Sequence, residues 1–383
     1  MAEPITSIAT AIAALRAEHP PTAGRGWDFD GFRVWLDTNE PALIAELDRY
    51  FAPFRRLEHD SLAAAQTAVD GPITHISAIQ LADPPDLAAG HTPTIGEYKP
   101  SVRGPKEAYV DLADGRLVHK LRTGMWFVFG RDEHLALGPC TANPNQVINF
   151  INNRMIQWSL HRGALLGHAS SVCRVDGEGR SPRAIAIAGF SGMGKSTLAL
   201  HLMNDRRLDF LSNDRVMIEA AGSAGGAPAQ LFGVPKHPRI NPGTILHNPD
   251  LAGILDADER ARFSALEPGE LWQLEHKYDG LIHECFPGQR FWLAGEFVGL
   301  VLLNWSRGGG PTVAQRIDVA QRRELLPALM KAPGVFYQPG PGEVATRDED
   351  RYVEFLAGVP VLELSGGVDF DAGRTAALEL LGL

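Results

Sequence analysis

With 383 residues, 44% of them hydrophobic and 21% charged, the chain can fill the cores of two domains and carries too little charge for wholesale disorder. A formal net charge of -10 speaks against a general nucleic-acid binder, which needs clustered basic residues to neutralise phosphates. Cys140, Cys173 and Cys285 lie far apart without a C-x-x-C pair, so buried thiols in a reducing compartment are expected rather than a disulfide frame or a zinc site.

No apolar run approaches the roughly 18 residues of a membrane span. Glu3 precedes any apolar stretch, with no basic segment ahead of it. The expected address is cytoplasmic, with neither membrane nor nucleic acid as partner.

Ile5, Ile8, Ile12 and Leu15 recur at helical spacing until Pro20-Pro21 ends the segment. Phe32 to Leu36 alternates as a half-buried strand does. Pro41 to Phe51 carries Leu43, Ile44, Leu47 and Phe51 on one helical face, and Ile73 to Ile79 reads as another strand. Asp83 to Gly104, rich in Pro and Gly, is expected to loop out. Asp114-Gly115 between the alternating runs Tyr109–Leu112 and Leu117–Leu121 is a hairpin signal, and Trp126 to Phe129 should continue that sheet. Residues 1–144 are thus expected to form a small α+β domain that recognises a substrate or partner. Asn145 to Leu160 is helical in pattern and opens a second domain, 145–383, closed by a short helix from Thr375 to Leu381.

The continuous apolar run Ala184 to Ala188 is a buried strand ending at Gly189. Gly189-Phe190-Ser191-Gly192-Met193-Gly194-Lys195-Ser196 then fits G-x-x-x-x-G-K-[ST] at every fixed position, and Thr197 follows, opening a helical segment. Glycines let the backbone curl so that successive N–H groups point at phosphate oxygens, and the following helix presents its positive end. Lys195 should reach the β- and γ-phosphates of a nucleoside triphosphate, and the Ser196 hydroxyl should ligand Mg²⁺.

Leu208 to Leu211 reads as the next strand, with Asn213-Asp214-Arg215 at its end. A strand–helix–strand crossover of this length should set the two strands side by side and Asp214 next to the loop, as a metal partner or as a base. The alternative is an aspartate that caps a turn or pairs with Arg215.

Together, the Gly189–Thr197 loop, Asn213-Asp214-Arg215-Val216 and the upstream His168 resemble the catalytic domain of the HPr kinase/phosphorylase family. The nearest likeness is to its HPr kinase-related type B branch, through Gly233-Val234-Pro235-Lys236-His237-Pro238-Arg239-Ile240-Asn241-Pro242-Gly243. The match is specific over about residues 163–250, weaker to 310, and only topological before 140. The resemblance implies an α+β or α/β chain whose C-terminal domain is a P-loop fold related to phosphoenolpyruvate carboxykinase, with ATP and Mg²⁺ as cofactors. It also implies a serine or threonine hydroxyl acceptor in a protein or peptide, and self-association of undefined stoichiometry. His168, on a strand that turns at Asp176–Gly179 and returns into the Walker A strand, takes the place of a histidine beside the catalytic acid; the alternative is an ordinary strand histidine. The family has two adjacent aspartates where this chain has Asn213-Asp214, and Asn213 cannot accept a proton as a carboxylate does. This departure speaks against reverse phosphorylase activity.

Lys236, His237 and Arg239 form a basic cluster, read with Lys236 and Arg239 as charge stabilisers or else as a solvated loop. Glu275, Lys277 and Asp279 are candidate substrate-side groups, or a charged helix face. A kinase acting on a small-molecule hydroxyl, an ATP-binding regulatory module without transfer, and an ordinary NTPase are the competing readings.

Overall fold

A computed structural model describes residues 4–97, 104–177, 180–220, 228–274, 276–340 and 348–383. The chain is a mixed α/β protein built of two compact units, Met1–Trp158 with Pro333–Val344, and Ser159–Ala332 with Ala345–Leu383.

The first unit contains β1 (Ala23–Phe29), β2 (Phe32–Thr38), β3 (Arg55–Leu57), β4 (Ile73–Gln80), β5 (Thr94–Ile95), β6 (Glu107–Leu112), β7 (Gly115–Lys120), β8 (Met125–Gly130) and β9 (His134–Gly138). They form one sheet in the order β3-β1-β2-β4-β9-β8-β7-β6-β5. Pairing is parallel across β2–β4–β9 and antiparallel elsewhere. The expected hairpin is there, with Leu112 opposite Gly115. The stretch expected to loop out contributes β5, which pairs with β6, while 98–103 lie outside the described residues.

Helix α1 (Ile8–Glu18) buries Ile8 and Ile12 in a cluster with Leu117, Val128 and Leu135, and α2 (Pro41–Tyr50) buries Leu43, Ile44 and Leu47. Beyond α3 (Leu62–Ala68) comes the long α4 (Pro144–His161), which carries Arg154 between the rings of Phe129 and Phe150, at 4.3 and 5.2 Å. The segment from Pro333 returns to this unit, where Phe336 O accepts from Arg154 and Val335 O from Arg116.

The second unit contains β10 (Leu165–Gly167), β11 (Ala169–Arg174), β12 (Arg183–Gly189), α5 (Lys195–Leu202), β13 (Leu208–Ser212), β14 (Val216–Glu219) and β15 (Gln230–Gly233). Its remaining strands are the paired β16 (Arg239–Ile240) and β17 (Tyr278–Asp279), then β18 (Ala294–Leu303), β19 (Val313–Ile317) and β20 (Val361–Ser365). The main sheet runs β10-β14-β15-β18-β12-β11-β13, with β20 on β18 and β19 on β20.

Strand β12 lies at its centre with every residue from Ala184 to Ala188 buried, as a strand covered on both faces requires. Ala184, Ala186 and Ala188 pack with Leu211, Leu300 and Leu302. The expected side-by-side placement of β12 and β13 does not occur. Strand β11, the hairpin partner of β12, lies between them and runs antiparallel to both, while β18 takes the other edge of β12. The closing helix starts earlier than expected, at Phe370, where Asp369 caps it. No helix among the described residues is long and apolar enough to cross a membrane.

Candidate phosphate site

Strand β12 ends at Gly189, where the chain turns through the loop into α5. Gly192 and Gly194 sit at φ of 86° and 88°, a left-handed conformation that side chains rarely adopt, and Gly194 also meets Phe370, whose ring a Cβ would approach to 2.8 Å. The Trp305 indole donates to Met193 O at 2.8 Å and pins the loop from β18's side. Lys195 is buried and its ammonium donates to Gly189 O at 2.8 Å and to Phe190 O at 3.4 Å. Burial lowers its pKa to about 8 against the opposing pull of Asp214, and Lys331 lowers it further. A buried cation whose hydrogen bonds go to backbone carbonyls gains from an arriving anion.

Asp214 ends the tight turn after β13. The Ser212 hydroxyl closes that turn on Arg215 O and receives Val234 N–H. Asp214 itself stands at φ 69°, strained for a residue with a side chain, a conformation aspartate tolerates better than most. Its neighbour Asn213 joins the turn to the loop: Asn213 Oδ1 accepts from Ser196 Oγ at 2.7 Å and from Ser170 Oγ at 3.2 Å.

Around the Asp214 carboxylate lie His168 Nε2 at 3.3 Å, Lys331 Nζ at 3.4 Å and Arg215 Nε at 3.8 Å. Burial alone would raise its pKa. The His168 hydrogen bond and the charges of Lys331, Arg215 and Lys236 outweigh burial and hold it well below the usual carboxylate range. Lys236 is lowered to about 8 by burial and by Arg215, with Asp214 opposing, and burial likewise lowers Lys331.

Of the residues expected from sequence, Gly189 to Ser196, Asp214, His168 and Lys236 converge here. The Thr197 hydroxyl lies instead 3.1 Å from Thr244 Oγ1. Arg239 is exposed on β16 and pairs with Asp279 on β17 at 3.4 Å, and its charge acts on Lys236. His237 is buried and accepts Ile282 N–H on Nδ1. Lys277 and Asp279 lie in an exposed stretch and on β17, not on a helix face, and Glu275 lies outside the described residues.

Sequence reasoning missed Ser170, Trp305 and Lys331. Lys331 lies 117 positions from Asp214 and is carried there by contacts no motif announces: His168 N–H bonds Leu329 O at 2.6 Å and Gly167 bridges Met330.

No group of three or more His, Cys, Asp or Glu among the described residues is arranged to hold a metal by itself. The donors present are oxygens, Ser196 Oγ with Asn213 and Asp214, a sparse set that suits Mg²⁺ shared with substrate phosphates. Chemically, the site pairs an anion-accepting loop with an excess of cations around one carboxylate. No protein-family model matches the chain, and a search of curated proteins likewise found no match.

Proposed function

We propose that the chain is an ATP-dependent kinase with an HPr-kinase-like P-loop domain of the phosphoenolpyruvate carboxykinase type, transferring the γ-phosphate to a serine or threonine hydroxyl of a protein or peptide. The observation that carries this reading is the Ser196–Asn213 hydrogen bond, which seats a carboxylate, an imidazole and a lysine beside the Walker A loop. The loop amides and Lys195 would bind the phosphates. Ser196 and Asp214 would hold Mg²⁺, whose chemistry is to neutralise phosphate charge. Lys331, Lys236 and Arg215 would stabilise charge on the transferring group.

Asp214, with its proton affinity this low, is a weak base as it stands. Phosphoryl transfer through a loose transition state depends mainly on positioning and neutralisation and needs little base help. His168 orients the carboxylate. Asn213 supports a second reading, an ATP-binding regulatory module without transfer.

Incubating the protein with γ-labelled ATP, Mg²⁺ and cell extract, then separating macromolecules from small molecules, tests the proposal. Label in protein that requires active chain supports it. Label in a metabolite favours a small-molecule kinase, and tight binding without product over hours favours the regulatory module.

A further inference from the structure

The first turn of α5 points two consecutive hydroxyls into different surroundings, as the roughly 100° step between helical residues requires. Ser196 turns to Asn213 and so toward Asp214. Thr197 turns to Thr244, and both threonines line a cavity of about 580 Å³ whose walls include neither Asp214, His168 nor Lys331. We infer that this cavity receives the nucleoside of a nucleoside triphosphate whose terminal phosphate lies toward Asp214. The inference rests on the phosphate-binding reading of the loop and gives that site a direction.

The volume falls within the range of about 300–1,000 Å³ common for small-molecule sites. Leu271, Val368 and Phe370 supply an apolar wall suited to a flat heteroaromatic ring. Phe370 touches Gly194 of the loop and packs edge-on against Trp305 at 5.3 Å, so the wall and the phosphate loop are one contiguous surface. His247 and Asp371 bring polar groups to the same cavity. His247 directs Nδ1 to Gly243 O at 2.7 Å, and Asp371 is oriented by His201 at 2.9 Å. A polyphosphate reaching from Asp214 across the start of α5 would continue toward Thr197, which lines the cavity.

Gly243 allows a direct test. It lines the cavity, and a Cβ there would meet Leu271 and Asn241 only at ordinary contact distances of 3.5 to 3.7 Å. Calorimetric titration of the full chain with Mg·ATP and with inorganic tripolyphosphate would compare wild type, Gly243→Ala and Gly243→Phe. Gly243→Ala should bind both as wild type does. Gly243→Phe should bind tripolyphosphate within about twofold of wild type and lose ATP affinity by about tenfold or more. Val368→Trp, at a position 41% exposed and so tolerant of a larger side chain, should reproduce the result if Gly243→Phe melts early. Filled variants that bind ATP as tightly as wild type, with tripolyphosphate binding retained, would overturn the nucleoside assignment and leave the phosphate site standing. A wild-type protein that binds no tripolyphosphate would overturn both.

Discussion

Ser196 donates its hydroxyl hydrogen bond to the Asn213 side-chain carbonyl over 2.7 Å, joining the first turn of α5 to the residue before Asp214. The buried Ser170 hydroxyl shares the same acceptor. One amide oxygen thus ties the loop after β12 to the turn after β13, across the strand that separates them.

Removing that acceptor takes the shared partner from two hydroxyls that lie 3.5 Å apart. Asn213→Ala should destabilise the protein by about 1–3 kcal/mol in urea unfolding, because the polar groups lose their partner. Asn213→Asp keeps an acceptor and should retain most of the stability, while placing a second carboxylate beside Asp214. Equal stability of wild type and Asn213→Ala would show that the bond does not brace the turn.

The lysines make a pH prediction. Lys195 and Lys236 are both lowered from 10.5 to about 8 in the folded state. The unfolded chain therefore binds more protons between about pH 8 and 10.5, and the destabilisation these lysines bring, present in full below about pH 8, is relieved as pH rises through that window. Lys195→Met should flatten the rise in chemical-denaturation profiles. Binding of sulfate, an anion with no titrating group in this range, restores the ammonium forms and should take up protons at about pH 8.5 and not at about pH 6.5, as calorimetry in buffers of different ionisation enthalpy would reveal. Binding without proton uptake at the higher pH would remove the lysines from the phosphate contact.

Asp214 and Lys331 should separate binding from turnover. Asp214→Asn removes the negative charge beside Lys331 and Lys236, so tripolyphosphate affinity should hold or rise while the transfer rate falls about 100-fold. With the carboxylate 37% exposed, the stability change should stay within about 1 kcal/mol. Lys331→Ala should lower the rate about tenfold or more at little change in ATP affinity, with partial recovery in Lys331→Arg. Steady-state kinetics with direct binding titrations checks both, and a Lys331→Ala enzyme of undiminished rate would exclude that residue from charge stabilisation.

Gly233 supports the site from below. A Cβ there would fall 2.1 Å from Leu211 O, a backbone atom of the strand leading into the Asp214 turn. Gly233→Ala should destabilise by about 2–3 kcal/mol in urea unfolding, since the strands must part to admit the methyl group.

What could be read from the sequence was local. The Walker A loop and the Asp214 turn are legible because their chemistry depends on spacing within a few residues. Strand β12 is legible because burial on both faces leaves an unbroken apolar run. Strand β1 was passed over because Gly24 and Gly26 interrupt its pattern; the Trp35 ring packs at both, where a Cβ would crowd it. Arg239 read as a neighbour of Lys236, but the pairing of β16 with β17 turns it to Asp279. Lys331 left no trace, because its place depends on how a distant segment crosses His168.

Transfer of labelled γ-phosphate to a macromolecular acceptor by wild type, Lys195→Ala and Asp214→Asn, each verified as folded, addresses the proposed activity most directly. Labelled acceptor is expected with wild type, and its loss in both variants. Unchanged turnover in both variants of a verified active preparation would contradict it.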